Sequence, residues 1–353
     1  MSGANIAMLE YAELLKEDYD LYFILPHEGN MNGALVCRNF GMDIIPQYGW
    51  ASPIGQSKVK HPLRFFIRSA VAVLQTCILI RKHNISLVFT NTQIPFTASI
   101  AAKLMFKPHV WWLHEFGEED FGFSIGGGNR KRALRWMNRS SKLIIGNSEA
   151  VAEKFRTLLP SAIVKRLYQP VSFFLKTGTK LYTEEKAYLM FGQLIPSKGH
   201  MQVLEALQIL KGSDNINGIT LRIAGPAEND KYPETLFLYI AEHRLEAYVK
   251  ITPGYFKKEE ILPGYKALIV SSEAEAFGRV VIEAGKAGLK VIVKNSGGAP
   301  ELVNDTNGVL YNTTEELSRI LSGEIKLPSA DTVFNYDEEE EMNKLDTWLK
   351  AIA

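Results

Sequence analysis

The sequence predicts an α/β protein of two Rossmann-like halves with a cleft between them. Three observations carry this expectation. The chain of 353 residues is long enough for two domains of ordinary size. Short apolar runs that end in Gly, Asn or Ser alternate with helical patterns along its length. Charge divides unevenly, with residues 1–171 carrying a net +7 and residues 172–353 a net −6. The 46% hydrophobic and 22% charged content is that of a globular chain, so disordered and fibrous classes are excluded.

In the first half, residues 20–26, 86–92, 109–115 and 142–148 read as buried parallel strands. Helical patterns separate them, among them residues 6–17 and 65–83. In the second half the strands are residues 186–192, 220–225, 249–254, 267–272 and 290–295. Polar residues at strand ends place functional groups at the carboxyl edge of each sheet, where open α/β folds bind ligands. Tyr168-Gln169-Pro170-Val171 marks a boundary, because the residue before proline is pushed out of the helical region. The expected domains are therefore 1–171 and 172–335, followed by an acidic terminal helix over 336–353 that packs back on the first domain.

Several function classes drop out. Neither half opens with G-x-G-x-x-G, which disfavours a nicotinamide or flavin dehydrogenase. P-loop, His-rich metal and nucleophile-elbow motifs are also missing from the sequence. Cys37 and Cys77 form neither a metal-ligand spacing nor a disulfide framework, which suits a reducing cytoplasm. The longest apolar run, Ala70 to Ile80, is broken by Gln75 and Thr76 and reads as too short to span a membrane. The N-terminus lacks the charged and apolar regions of a signal peptide.

Two stretches carry chemistry. In FGQLIPSKGH (191–200) a strand ends at Gly192, and Lys198-Gly199 opens a helix. A lysine there adds a point charge to the anion site made by free N–H groups, or it is simply a solvated lysine after a turn. In SSEAEAFGRVVIEAGKAG (271–288), Phe277-Gly278 breaks the strand and Arg279 begins a helix whose first N–H groups suit a diphosphate. Glu275 and Glu283 would be repelled by that diphosphate, and ionised carboxylates accept hydrogen bonds only. Vicinal sugar hydroxyls are therefore their natural partners. The plain alternatives are a helix-start charge for Glu275 and a surface position for Glu283. The apolar Val280-Val281-Ile282 argues for burial, and a buried glutamate needs a partner.

Residues 275–283, E-A-F-G-R-V-V-I-E, resemble the E-x7-E motif of retaining family 4 glycosyltransferases, which have the GT-B fold. Ser2-Gly3-Ala4, Thr90-Asn91-Thr92, His114-Glu115, Asn147-Ser148, Gly192…Lys198-Gly199, Ala224-Gly225 and Gly297-Gly298-Ala299-Pro300-Glu301 follow in family order. The resemblance implies transfer of a sugar with retention, from a nucleotide-diphosphate donor to a glycan or lipid-linked acceptor, as in cell-surface polysaccharide synthesis. It implies that Glu275 holds donor-sugar hydroxyls, Glu283 holds the ribose, and Lys198 neutralises the leaving group. Backbone groups of Phe277, Gly278, Arg279 and Val280, with Gly3, would bind sugar and diphosphate. Gly254 and Tyr255 would lie by the base, and His114 near the reacting carbon. His114 also reads as an ordinary hydrogen-bonded histidine at a polar strand end. No metal or other cofactor is implied.

Two departures stand out. Gln193 occupies the position where the family usually carries an arginine, which removes one cation from the diphosphate clamp. The loop at Gly3 follows a first, central strand in the family, whereas here that strand is missing, so a truncated start is expected. The alternatives are accordingly a non-catalytic nucleotide-sugar-binding relative, a truncated inactive chain, or another GT-B enzyme such as an epimerase.

Lys58, Lys60, His61, Arg64 and Arg68 adjoin a helix whose other face is Phe65, Phe66, Ile67, Val71, Leu74 and Ile78. Arg130, Lys131, Arg132, Arg135 and Arg139 form a second basic cluster. Together they suggest a cytoplasmic protein peripheral on an anionic membrane face, against the plain reading of an ordinary domain helix. Nucleic acid is a poor partner, since aromatics do not interleave with the basic clusters.

Overall fold

The computed structural model describes residues 2–47, 49–54, 61–174, 186–329 and 336–352; Lys58 and Lys60 lie outside them. The chain divides into two compact units, Met1–Pro170 with Asp337–Ala353, and Val171–Tyr336.

The first unit contains α1 (Gly3–Leu15), β1 (Tyr22–Leu25), α2 (Asn30–Val36), β2 (Gly41–Ile44), β3 (Ser52–Pro53), α3 (Pro62–Lys82), β4 (Val88–Asn91) and α4 (Thr97–Leu104). It continues through β5 (His109–Leu113), α5 (Glu118–Phe121), β6 (Phe123–Ser124), α6 (Arg130–Ser140), β7 (Leu143–Gly146), α7 (Glu149–Leu158) and β8 (Val164–Arg166). Strands β4-β5-β7-β8 form a parallel sheet. Its core strands β5 and β7 are buried at every position, as expected for a sheet covered on both faces.

Two expectations need correction here. The run at 20–26 does not join that sheet: β1 pairs with β2 in a separate two-stranded sheet, and its residues are only partly buried. Pro26 ends the strand, and β2, GMDI, is too short and mixed to signal itself. Gly3 sits not in a loop but in the first turn of α1, where the Ser2 hydroxyl accepts from the Asn5 N–H.

On one face of the larger sheet, Ala7, Tyr11 and Leu15 of α1 pack with Val110, Trp112, Leu143 and Ile145. Leu345 and Leu349 of the terminal helix α13 (Glu338–Ile352) complete this cluster. The buried Glu341 carboxylate fastens α13 by accepting from Arg166 at 2.5 Å and from the Tyr168 N–H at 2.8 Å. On the other side Val73 and Ile80 of α3 meet Val88, Ala101 and Ala102.

The second unit contains β9 (Ala187–Phe191), α8 (His200–Gly212), β10 (Thr220–Gly225), α9 (Lys231–Glu242), β11 (Val249–Pro253) and α10 (Lys258–Ile261). It ends with β12 (Ala267–Val270), α11 (Arg279–Lys286), β13 (Lys290–Lys294), β14 (Gly308–Tyr311) and α12 (Thr314–Ser322). Its sheet is parallel, in the order β11-β10-β9-β12-β13-β14. The order reverses between β9 and β12, which is the topological switch point of a doubly wound sheet. There the ladder holds only Ala267↔Tyr188 and Leu268↔Leu189, whereas β9 stays paired to β10 as far as Phe191. The carboxyl ends of β9 and β12 therefore part and leave a crevice.

All five tryptophans (Trp50, Trp111, Trp112, Trp136 and Trp348) lie in the first unit, so their fluorescence reports on that unit. Leu345 is 1% exposed, and Leu345→Ala is expected to cost the first unit about 2–5 kcal/mol through lost burial and a cavity. Urea unfolding followed by tryptophan fluorescence checks this. An unshifted midpoint would mean that α13 contributes nothing to that core.

Candidate functional site

The crevice at the switch point is lined by the loops that follow β9 and β12. After β9 the chain makes a 3-10 turn over Pro196–Lys198, passes Gly199 in the left-handed region (φ +70°) and starts α8. A Cβ on Gly199 would stand 2.1 Å from the Ser271 carbonyl oxygen. Only glycine lets the two loops approach this closely. The approach brings the Lys198 Nζ to 2.6 Å from the Glu275 carboxylate, which also accepts from the Ser272 hydroxyl at 2.9 Å. Burial pushes the Glu275 carboxyl up, but Lys198 and the Ser272 hydroxyl more than offset it and hold the group below its usual range. The Gly298 N–H, donating to the Glu275 carbonyl at 2.7 Å, ties the loop to the one after β13.

Helix α11 opens beside this pair at Gly278 (φ +91°), and no side chain caps it. A Cβ on Gly278 would stand 2.9 Å from the Ala299 Cβ. An uncapped helix start presents N–H groups and the positive end of the helix dipole, which suits an anion. Phe277, Val281 and Ile282 are buried and anchor the helix. Glu283, in its second turn, is only 3% exposed and is therefore no surface residue. Its carboxylate meets the Lys258 Nζ, from the start of α10, and lies 4.0 Å from the Arg279 Nε. A polar group buried this deeply needs such partners. Val280 is partly buried.

The remaining residues of the second unit spread outward. Gln193 donates its Nε2 to Glu228 at 2.8 Å and so turns toward the loop after β10. Gly254 follows β11, and Tyr255 is 91% exposed. Next to it the Arg222 guanidinium lies 5.2 Å from the centre of the Phe256 ring. Among the described residues, no group of three or more His, Cys, Asp or Glu side chains is placed to hold a metal ion.

In the first unit, His114 follows β5, is buried and has both ring nitrogens engaged. Its Nε2–H donates to the Asn91 Oδ1 at 2.7 Å, and its Nδ1 accepts from the Gln169 Nε2 at 2.6 Å. Asn91 donates its own Nδ2 to the Ala4 carbonyl at 3.2 Å, which orients the amide and joins His114 to the first turn of α1, where Gly3 sits. The Asn91 amide, oriented by the Ala4 carbonyl, calls for a proton on the His114 Nε2. The next residue, Glu115, is buried and accepts from the backbone N–H groups of Gln93 at 2.8 Å and His114 at 3.1 Å.

The structure thus brings Lys198 to Glu275, Glu283 to Arg279, and Ala4, next to Gly3, to His114 through Asn91. Sequence reasoning missed Lys258, because K-K-E-E (257–260) has the look of a solvated charge run. It also missed the supporting roles of Ser272, Asn91, Gln169 and Glu115. Asn91 and Glu115 stand in the Thr90-Asn91-Thr92 and His114-Glu115 stretches and Ser272 at a polar strand end, but none was given a role.

Across the whole chain the fold is that of GT-B glycosyltransferases. A glycosyltransferase from Rickettsia africae ESF-5 has a TM-score of 0.70 at 17% identity, over 99% of this chain and 94% of that one. Anabaena Alr3699/HepE in complex with UDP has a TM-score of 0.76 at 19% identity, over 99% and 96%. Residues 173–330 match the family profile "Glycosyl transferases group 1". Over 148 residues it is 28% identical to the GDP-mannose-dependent alpha-(1-6)-phosphatidylinositol monomannoside mannosyltransferase of Mycobacterium tuberculosis. That match spans 39% of this chain and 37% of the relative, so the chain covers little more than a third of it.

Glu115 supplies a pH test. Burial raises its carboxyl from 4.5 to about 7; the Gln93 and His114 N–H groups oppose the rise, and Asp120 adds to it. Between these values the folded chain keeps a proton that the unfolded chain has lost. Stability of the first unit therefore falls as pH rises through this window. Glu115→Gln is expected to reduce the loss between pH 5 and pH 8 by roughly 2–3 kcal/mol. Tryptophan-detected urea unfolding at the two pH values measures it, and an unaltered pH dependence would contradict it.

Proposed function

We propose that this chain is a retaining, metal-independent glycosyltransferase. It moves a hexosyl group from a nucleotide-diphosphate sugar to a glycan or lipid-linked acceptor, as in cell-surface polysaccharide synthesis. It works in the cytoplasm, at an anionic membrane face where a lipid-linked acceptor is presented. One observation supports this most strongly: a cation and a carboxylate 2.6 Å apart at the switch-point crevice, beside the uncapped start of α11. The arrangement offers a cationic subsite and an acceptor-only subsite side by side, as a molecule that is part diphosphate and part polyol requires.

In this reading Lys198 and the α11 amides from Gly278 to Val280 receive the diphosphate. Glu275 receives hydroxyls of the transferred sugar, Glu283 those of the ribose, and the segment at Gly254-Tyr255 lies by the base. His114 lies near the reacting carbon and the acceptor, and Gly3 serves the donor. The anomeric carbon's bond to the phosphate oxygen breaks, and its bond to the acceptor oxygen forms on the same face. The acceptor proton passes to the leaving nucleoside diphosphate, so no protein base is needed. Stabilising charge on that leaving group is then the main catalytic task. Gln193, turned toward Glu228, adds no cation to it. The base stays open between uridine and guanosine: HepE is crystallised with UDP and with UDP-glucose, and the mannosyltransferase is GDP-mannose-dependent.

A thermal-shift panel of UDP- and GDP-sugars on the full chain tests the reading. At least one should raise the midpoint, and Lys198→Ala and Glu275→Ala should abolish most of that rise. If no nucleotide sugar stabilises the protein, the donor reading fails. If one stabilises but no transfer follows with any glycan or lipid-linked acceptor, the chain is a non-catalytic binding relative.

A further inference from the structure

Helix α3 carries an apolar face that the fold leaves uncovered. Leu63, Phe66, Ile67, Val71, Leu74 and Ile78 are all exposed, Leu63 to 72% and Phe66 to 69%. At 100° per residue these six positions fall within an arc of about 140°. On the opposite side Ser69, Ala72, Val73, Thr76 and Ile80 are buried. Phe65, which the sequence placed on the apolar outer face, turns inward and stacks on Phe96 at 5.9 Å. The helix is also longer and more apolar than the broken run at Ala70–Ile80 suggested. Its 21 residues could cross a membrane by length and composition. Its packing on α4 holds it in the first unit instead.

The charge around this face has one sign. Positions 64, 68 and 82 follow one edge of the apolar arc, so Arg64, Arg68 and Lys82 rim it. Helix α4 packs against both α3 and α6. Together α3, α4 and α6 carry ten Lys or Arg and no Asp or Glu. The whole stretch from Asp43 to Glu115 holds no acidic residue between those two. A second copy of this chain would bring cations against cations on such a face. An anionic bilayer instead offers acyl chains to the stripe and phosphates to its rim.

We propose that α3 lies flat in the headgroup region of an anionic membrane. Its Leu63–Ile78 face enters the acyl boundary, and Arg64, Arg68 and Lys82 contact lipid phosphates. The proposal rests on the membrane-side reading above only for the setting in which it acts. It specifies a helix that lies on the bilayer and does not span it, because the buried half of α3 is committed to α4 and the sheet.

The test is cosedimentation of the full chain with phosphatidylcholine vesicles, with and without phosphatidylglycerol, at low and raised salt. Wild type should pellet with phosphatidylglycerol vesicles and be released by salt. Phe66→Ser with Leu74→Ser should weaken partitioning roughly tenfold or more, as removal of buried apolar surface requires. Arg64→Gln with Arg68→Gln should also weaken it and flatten the salt dependence. Tryptophan-detected midpoints and nucleotide-sugar stabilisation should stay unchanged in both variants, so a failed donor site is told apart from a failed docking face. Equal binding to neutral vesicles would overturn the proposal, as would unchanged binding by both variants. A dimer in solution that dissociates in the serine variant would also overturn it, by showing the stripe to be a self-interface.

Discussion

The closeness of two loops at the carboxyl ends of β9 and β12 governs what the second unit can bind. Gly199 lies so near the Ser271 carbonyl that no side chain fits, and this contact carries Lys198 to Glu275. An ammonium and a carboxylate taken partly out of water need each other, since an isolated buried charge would cost several kcal/mol. The same constraint recurs one helix turn away, where the buried Glu283 is met by Lys258 and approached by Arg279. Two carboxylates, each met by a lysine, thus sit beside a helix start that favours anions. Acceptor-only groups and anion-binding groups alternate within one crevice.

The first unit is organised around a different restriction. Its sheet is buried at the core strands, so a polar side chain at a strand end must find partners locally. His114 does so through Asn91 and Gln169, and Asn91 extends the chain of bonds to the first turn of α1. A ring held on both nitrogens is fixed in orientation and tautomer, which suits positioning better than proton transfer. Glu115 closes the backbone beneath it through the Gln93 and His114 N–H groups.

Much of this could be read from residue order. Five of the six second-unit strands announced themselves as apolar runs ending in Gly, Asn or Ser, while β14 did not, and the E-x7-E segment marked a buried helix start because Val280-Val281-Ile282 follows Gly278. Other features required three dimensions. Lys258 sits in K-K-E-E, which has the composition of a solvated face, and only folding brings it to Glu283. The strand at 22–25 looked like its neighbours, yet all four of its residues are only partly buried and it pairs with β2 instead. The outward face of α3 was misjudged at Phe65, because a 21-residue helix with apolar residues on most sides does not reveal which arc the sheet will take.

The central claim is that Lys198 recognises phosphate and Glu275 recognises sugar, although they touch each other. Calorimetric titration of the full chain and its two alanine variants, with a nucleoside diphosphate and with the corresponding nucleotide sugar, tests it directly. Lys198→Ala should weaken both ligands roughly tenfold or more, the scale of one lost charge-assisted contact. Glu275→Ala should weaken the nucleotide sugar while sparing the diphosphate. Equal losses of both ligands in both variants would contradict the division of labour and leave the pair as structural support for the loops.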